Sequence, residues 1–294
     1  MTSSEQLVAV PRQRRTRTSR VKTALKKAPF SAWFGIVVIL GYVLVALSAS
    51  WIAPYGETHV FTEAFAPWGK EFILGTDQLG RDVLTRLIYG ARNTISIAFA
   101  TTLLSFGVGV TLGLLAAMHR GWLDQVLSRA VDVLMSIPSL IFALMLLSIF
   151  GSSVTSLVLI IALLDSTRVF RLARAVGLNV AVMEYVEAAQ LRGEGPGWIL
   201  AKEILPNVLP PLIAEFGLRF CFVFLTIAAL SFLGVGIQPP TADWGSMVRE
   251  NATLITYGDI TPLLPAGAIA LLTVSVNFVV DWFLHVTSGL RDEK

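Results

Sequence analysis

Charge is scarce in this chain. Only 15% of its 294 residues are Asp, Glu, Lys or Arg, against about 25% in a typical soluble domain. Cysteine is scarcer still. Cys221 stands alone, which excludes an internal disulfide and a cysteine-built metal site. The three histidines, His59, His119 and His285, have no Cys, Asp or His partner at metal-ligand spacing. The phosphate-cradling G-x-x-x-x-G-K-[ST] is missing; the Gly69-Lys70 pair runs straight into Glu71. No catalytic, cofactor-binding or metal site is therefore expected in this chain, and it is not read as an enzyme. Nor is there an internal repeat or a low-complexity tract.

What is abundant is apolar surface. Hydrophobic residues make up 54% of the chain and the mean hydropathy is +0.70. A spanning helix needs about 20 mostly apolar residues. Six such stretches occur, near 32–53, 93–117, 130–150, 154–172, 209–235 and 263–288. The expected fold is an all-α, polytopic membrane protein with six transmembrane helices. The first apolar run is about 22 residues, longer than a signal-peptide core of roughly 7–15, so it reads as a retained anchor.

Basic residues orient the spans. Eight lie between Arg12 and Lys27, beside a single acid, Glu5. That tail, residues 1–29, is expected to be disordered and cytoplasmic, touching anionic lipid rather than nucleic acid. With six spans, N- and C-termini are both cytoplasmic. The inner side then collects 17 of the 23 Lys and Arg, the outer side five (Lys70, Arg81, Arg86, Arg92 and Arg249), and Arg219 lies within a span. The rest, residues 30–292, reads as one six-helix membrane domain.

Several local features stand out. Gly109 and Gly113 form a G-x-x-x-G, which permits close helix approach. Pro138 and Pro265 are candidate bends. In the outer loop, Thr76 or Asp77 is a candidate cap for a helix starting near Gln78. Asp82 and Arg86 would pair at i,i+4, and Val83, Leu84, Leu87 and Ile88 would form an apolar face. Glu215 and Arg219 would pair within the fifth span, either lining a pathway or bracing two helices. Asp132, Asp165 and Asp281 fall near predicted helix ends. Arg168, Arg171 and Arg174 recur at the inner end of span four, as markers of the membrane surface.

The polar inner loop, about 173–208, reads as two short helices. One runs from Val180 to Arg192 and is closed by Gly193. Gly195-Pro196-Gly197 is a hinge, and the second helix runs from Trp198 to about Leu205. Ala188 and Ala189 leave a flat face rimmed by Glu187 and Arg192. Few large apolar residues are expected there, which argues against a helix lying on lipid.

Glu187-Ala188-Ala189, Gly193, Leu205 and Pro206 resemble the ATPase-coupling loop of binding-protein-dependent ABC importer permeases. Glu203 departs from the generic pattern, and Ile204 follows it as the shifted apolar anchor. Leu74-Gly75-Thr76-Asp77-Gln78-Leu79-Gly80-Arg81-Asp82 is similar to the outer-face motif of C-type permease subunits of dipeptide, oligopeptide and nickel importers. So are Leu230 to Pro240, Asp243-Trp244-Gly245, and the C-terminal Gly289-Leu290-Arg291-Asp292. The resemblance implies a multi-pass protein of the bacterial plasma (inner) membrane. It also implies a heterodimer with a second homologous permease, two separate ABC ATPases holding ATP and magnesium, and an extracytoplasmic solute-binding protein. Short peptides are the implied cargo, with nickel complexes, opines or glutathione as alternatives. A stand-alone secondary transporter would instead need inverted repeats or a charged midplane site.

Overall fold

The computed structural model describes residues 28–119 and 121–288. The basic tail up to Lys27, Arg120 and the C-terminal Gly289-Leu290-Arg291-Asp292 lie outside them. The described residues form helices and no strand, apart from one isolated bridge between Thr76 and Asp82.

The long helices are α1 (Phe30–Ile52), α2 (Val83–Met118), α5 (Val154–Ala181), α8 (Leu205–Phe232) and α10 (Leu263–Ser288). Between α2 and α5 lie α3 (Trp122–Ser136) and α4 (Ser139–Phe150). Between α5 and α8 lie α6 (Glu184–Leu191) and the short α7 (Pro196–Ile199), which continues through a π-turn, Leu200–Ile204, into α8. After α8 come α9 (Trp244–Asn251) and a 3-10 turn, Ala252–Tyr257.

Four helical runs are long and apolar enough to cross a membrane: Phe30–Ile52, Val83–Met118, Pro196–Phe232 and Leu263–Thr287. The third expected span is not one helix. It is the pair α3 and α4, which qualify together but are bent by 90°. The cause is local. Pro138 has no N–H to continue the ladder, and Ile137 before it is extended, at φ −94° and ψ 133°. The fourth expected span, α5, is 28 residues long. It falls short of the same standard of apolarity because Asp165, Arg168 and Arg171 interrupt it.

Those charges have partners. Asp124 and Asp132, two turns apart on α3, meet Arg174 and Arg171 of α5. Arg174 Nη2 donates to Asp124 at 2.6 Å and Arg171 Nη2 to Asp132 at 2.7 Å. The arginines in the C-terminal half of α5 thus hold an amphipathic helix across it.

The most extensive helix contact is α2 on α5. A Cβ at Gly109 would lie 2.6 Å from Val169 Cβ, and one at Gly113 would lie 2.7 Å from the Phe170 carbonyl oxygen. Gly177 of α5 returns the contact against Leu114, at 2.9 Å. With no side chain at these positions the two backbones meet directly, which is the geometry that small residues permit in membranes. Around this seam a core forms from Ala98, Leu157, Ile161, Phe224, Ile227 and Trp244. A second cluster at the α6 end joins Leu114 and Ala173 to Val186, Ala189, Ile199 and Ile204.

Gly109→Ala should therefore destabilise the fold by about 1–3 kcal/mol, the usual cost of overpacking. Gly107→Ala, with no atom within 4 Å of its Cβ, should be neutral or slightly stabilising. Thermal unfolding of the detergent-solubilised protein reads the difference, and equal melting temperatures for both variants would contradict the seam.

Candidate functional site

Three sets of residues singled out in the sequence become concrete in the fold. The first is the outer-face motif. Asp82 caps α2, accepting from the Thr85 N–H at 2.7 Å, so the helix starts at Val83 rather than near Gln78. It is the same helix that is long and apolar enough to cross a membrane. Asp77 organises the loop before it. One carboxylate oxygen accepts from the Leu79 and Arg81 N–H groups, each at 2.9 Å, and the other receives Arg81 Nε at 2.7 Å. Thr76 donates to the Glu63 carbonyl at 2.8 Å. Gly75 and Gly80 turn the chain; at Gly80 (φ +71°) a Cβ would sit 2.3 Å from the Phe61 carbonyl oxygen.

The expected Asp82–Arg86 pair does not form. Arg86 turns inward, to 3.6 Å from Asp77 and 3.8 Å from Glu250 of α9. Arg81 reaches Glu250 at 2.6 Å. Two arginines and two carboxylates thus close a buried ring, with all four side chains 6% exposed or less. Glu250 is the member that sequence reasoning missed, because it is 169 residues from Arg81.

Next to this ring, Asp243 caps α9 by accepting from Ser246 N–H at 2.8 Å, and it receives Thr94 Oγ1 of α2 at 2.9 Å. Burial pushes its carboxyl above the usual carboxylate range, opposed by these hydrogen bonds. Trp244 Nε1 donates to the Leu87 carbonyl at 2.9 Å. The two outer motifs, far apart in sequence, are one folded cap on the ends of α2 and α8.

The second set is the charged group within α8. Glu215 and Arg219 pair at 2.7 Å as expected. Arg219 also lies 3.6 Å from Asp165 of α5, whose other oxygen accepts from Ser105 of α2 at 3.0 Å. Asp165 is therefore buried in mid-helix, not placed near a helix end. The Arg219 guanidinium rests 4.5 Å above the Phe222 ring. One cation is shared by two carboxylates and links three helices.

The third set is the inner loop. Helix α5 continues to Ala181, so α6 covers only Glu184–Leu191. Glu184 and Glu187 occupy its first turn, where the helix dipole favours acids. Gly193, at φ +80°, closes it: its N–H donates to the Gln190 carbonyl at 2.9 Å, and the Glu194 N–H to that of Ala189 at 3.2 Å. Glu187, Ala188 and Gly193 face outward, as does Pro206, while Leu205 is half-buried. Ala189 is not on the open face. It is fully buried with Val186, Ile199 and Ile204. The face is also less flat than expected, because Met183, Tyr185, Leu191 and Trp198 stand exposed around it. The off-pattern Glu203 lies 3.8 Å from Arg192.

A family model described as "Binding-protein-dependent transport system inner membrane component" matches residues 109–288. The chain belongs to that family of ABC importer permeases. It is 34% identical over 265 residues to the di/tripeptide transport system permease protein DppC of Pseudomonas aeruginosa, covering 88% of this chain and 85% of that one. It is 31% identical to the glutathione transport system permease protein GsiD of Pectobacterium atrosepticum, over 88% and 84% of the two chains. A crystal structure titled as an amino acid ABC transporter with histidines superposes with a TM-score of 0.52 at 20% identity, over 67% of this chain and 92% of that chain. That last match speaks to the fold alone. The permease is thus a multi-pass inner-membrane component of a transport system, and its role in the system is not catalytic.

Removing one member of the buried ring strands the others. Glu250→Ala in the permease should cost about 3–5 kcal/mol, because two buried guanidiniums then share one carboxylate. Glu71→Ala, at an exposed outer position, should cost less than about 0.5 kcal/mol. Denaturation monitored by Trp fluorescence separates the two; equal stability would mean that the ring contributes nothing.

Proposed function

We propose that this chain is one of two homologous permease subunits forming the pathway of an ATP-driven importer of short peptides. In this reading two ATPase subunits supply the hydrolysis, and a solute-binding protein delivers the peptide to the outer cap. The relatives named for di- and tripeptides carry the substrate assignment. Glutathione is itself a short peptide, so the relative named for it is a narrower case of the same cargo class. Fluorescence binding titrations of the cognate solute-binding protein distinguish the two: tight binding of varied dipeptides supports the broad reading, and selectivity for glutathione supports the narrow one.

The inner loop is the coupling surface in this reading. The observation that carries it is its double character. Glu187 and Ala188 are open beside exposed Tyr185 and Leu191, while Val186 and Ala189 on the opposite face are locked against Leu114 of α2 and Ala173 of α5. A body docked on the first face pulls directly on the second. Glu187→Lys should leave the protein folded, because the side chain is exposed. It should lower ATP-driven uptake about tenfold or more, since a like-charge clash across an interface costs several kcal/mol and 1.4 kcal/mol is a factor of ten. Gly193→Pro should act similarly, because proline reaches neither the positive φ nor the N–H donation. Uptake and ATP hydrolysis measured in proteoliposomes check both, and wild-type uptake by both variants would remove the loop from the coupling role.

Six crossings with both termini inside complete the reading. The bent α3–α4 pair is the third crossing and α5 the fourth, its charges compensated by α3 and α8. A cysteine replacing Tyr257, which is 85% exposed, should react with an impermeant maleimide from outside. A cysteine replacing Gly195 should react only after permeabilisation. The opposite pattern would invert the topology.

A further inference from the structure

Helix α1 packs on α2 and on α10, and α8 packs on the same two helices. The space enclosed by the four is a groove of about 940 Å³, at the upper end of ordinary ligand sites, which run to about 1,000 Å³. Its walls are apolar: Ala46 of α1, Phe99 of α2, Phe216 and Phe220 of α8, and Val276 of α10. One charge lines it, Arg92, at the end where α1 finishes. Arg92 donates to Ser50 Oγ at 3.1 Å. Among the described residues no carboxylate is at ion-pair distance from it, and none lines the groove. Trp51 stands beside it, 89% exposed, as indoles do at headgroup level.

We propose that this groove binds a glycerophospholipid, with the phosphate on Arg92 and Ser50 and an acyl chain laid along the aromatic wall. The dimensions agree. From Ser50 to Ile39, both lining the groove, α1 rises about 16 Å at 1.5 Å per residue. That is one leaflet of a hydrocarbon core about 30 Å thick. The charge distribution selects among occupants. A peptide substrate would bring an ammonium that finds no carboxylate here. A partner's apolar helix would cover Arg92 without an anion, at the cost of desolvating an unpaired charge. A phosphodiester supplies both the anion and the hydrocarbon. The site depends on the chain being a membrane protein and not on the identity of the cargo.

The test uses the assembled transporter in nanodiscs containing phosphatidylglycerol, transferred to detergent, washed and analysed by native mass spectrometry. The wild type should retain bound phosphatidylglycerol. Arg92→Gln should retain it about tenfold less well, as loss of a charged hydrogen bond implies. Ala46→Trp, which fills the groove, should abolish retention. Should Ala46→Trp fail to assemble, Arg92→Gln, whose side chain is exposed, decides alone. A wild type that keeps no phospholipid, or an Arg92→Gln variant that keeps as much as wild type, would overturn the site. So would a disulfide formed in the membrane between a cysteine at Leu47 and one in the partner permease, since a protein helix would then fill the groove.

Discussion

The backbone-to-backbone contact of α2 with α5 is the constraint on which the rest depends. Gly109, Gly113 and Gly177 leave no side chain between the two helices, so their relative position tolerates little adjustment. Each helix then carries one half of an external feature. Helix α2 begins at the capped Asp82 and presents Arg86 and Thr94 to the outer cap. Helix α5 ends at the inner loop and presents Ala173 to α6. In lipid, association has no hydrophobic driving force between helices. Close packing of small residues substitutes for it, and the charged contacts are then placed by a frame that is already rigid.

The charged contacts follow a common rule. Apart from Arg92 in its groove, the cations of the buried clusters are matched to a carboxylate from a different helix or from the outer cap: Arg86 and Arg81 to Glu250, Arg219 to Asp165, Arg174 to Asp124. Buried pairs of this kind are weak evidence for net stability. They are strong evidence for register, because a helix displaced by one turn would strand both partners. Burial of the Asp77–Arg81–Glu250–Arg86 ring in an exposed loop region thus points to a cap whose shape, rather than its stability, is under constraint.

Much of this was legible in the chain. Apolar runs located the long helices, and Gly193 marked the close of α6, where it does stand at positive φ. Glu215 and Arg219 pair because i,i+4 spacing is a local property. What local reasoning could not reach was long-range. Glu250 and Asp165 are ordinary acids in sequence; only the fold places them against Arg81 and Arg219. The Asp82–Arg86 pairing failed for the same reason, since Asp82 is engaged as a cap and Arg86 turns inward toward Asp77 and Glu250. Ala189 was assigned to an open face because alanine carries no orientation signal. The exposed Met183, Tyr185 and Trp198 were undercounted because their exposure depends on where α5 stops, at Ala181 rather than near residue 172.

One feature of α8 reaches further than its packing. The helical run from Pro196 to Phe232 covers 37 residues, about 55 Å of rise at 1.5 Å each. It starts beside α6, passes Arg219, and ends against the outer cap, where Ser231 accepts from the Ile237 N–H at 3.1 Å. Along it, Pro210 and Pro211 each delete a ladder donor, between the inner end and the Arg219 bridge. Arg219 divides the run into a longer inner arm, which carries both prolines, and a shorter outer arm that has none. Any displacement of the inner end would meet the two weakened turns before it reached the bridge, whereas the outer arm, with an unbroken ladder, would move as a unit.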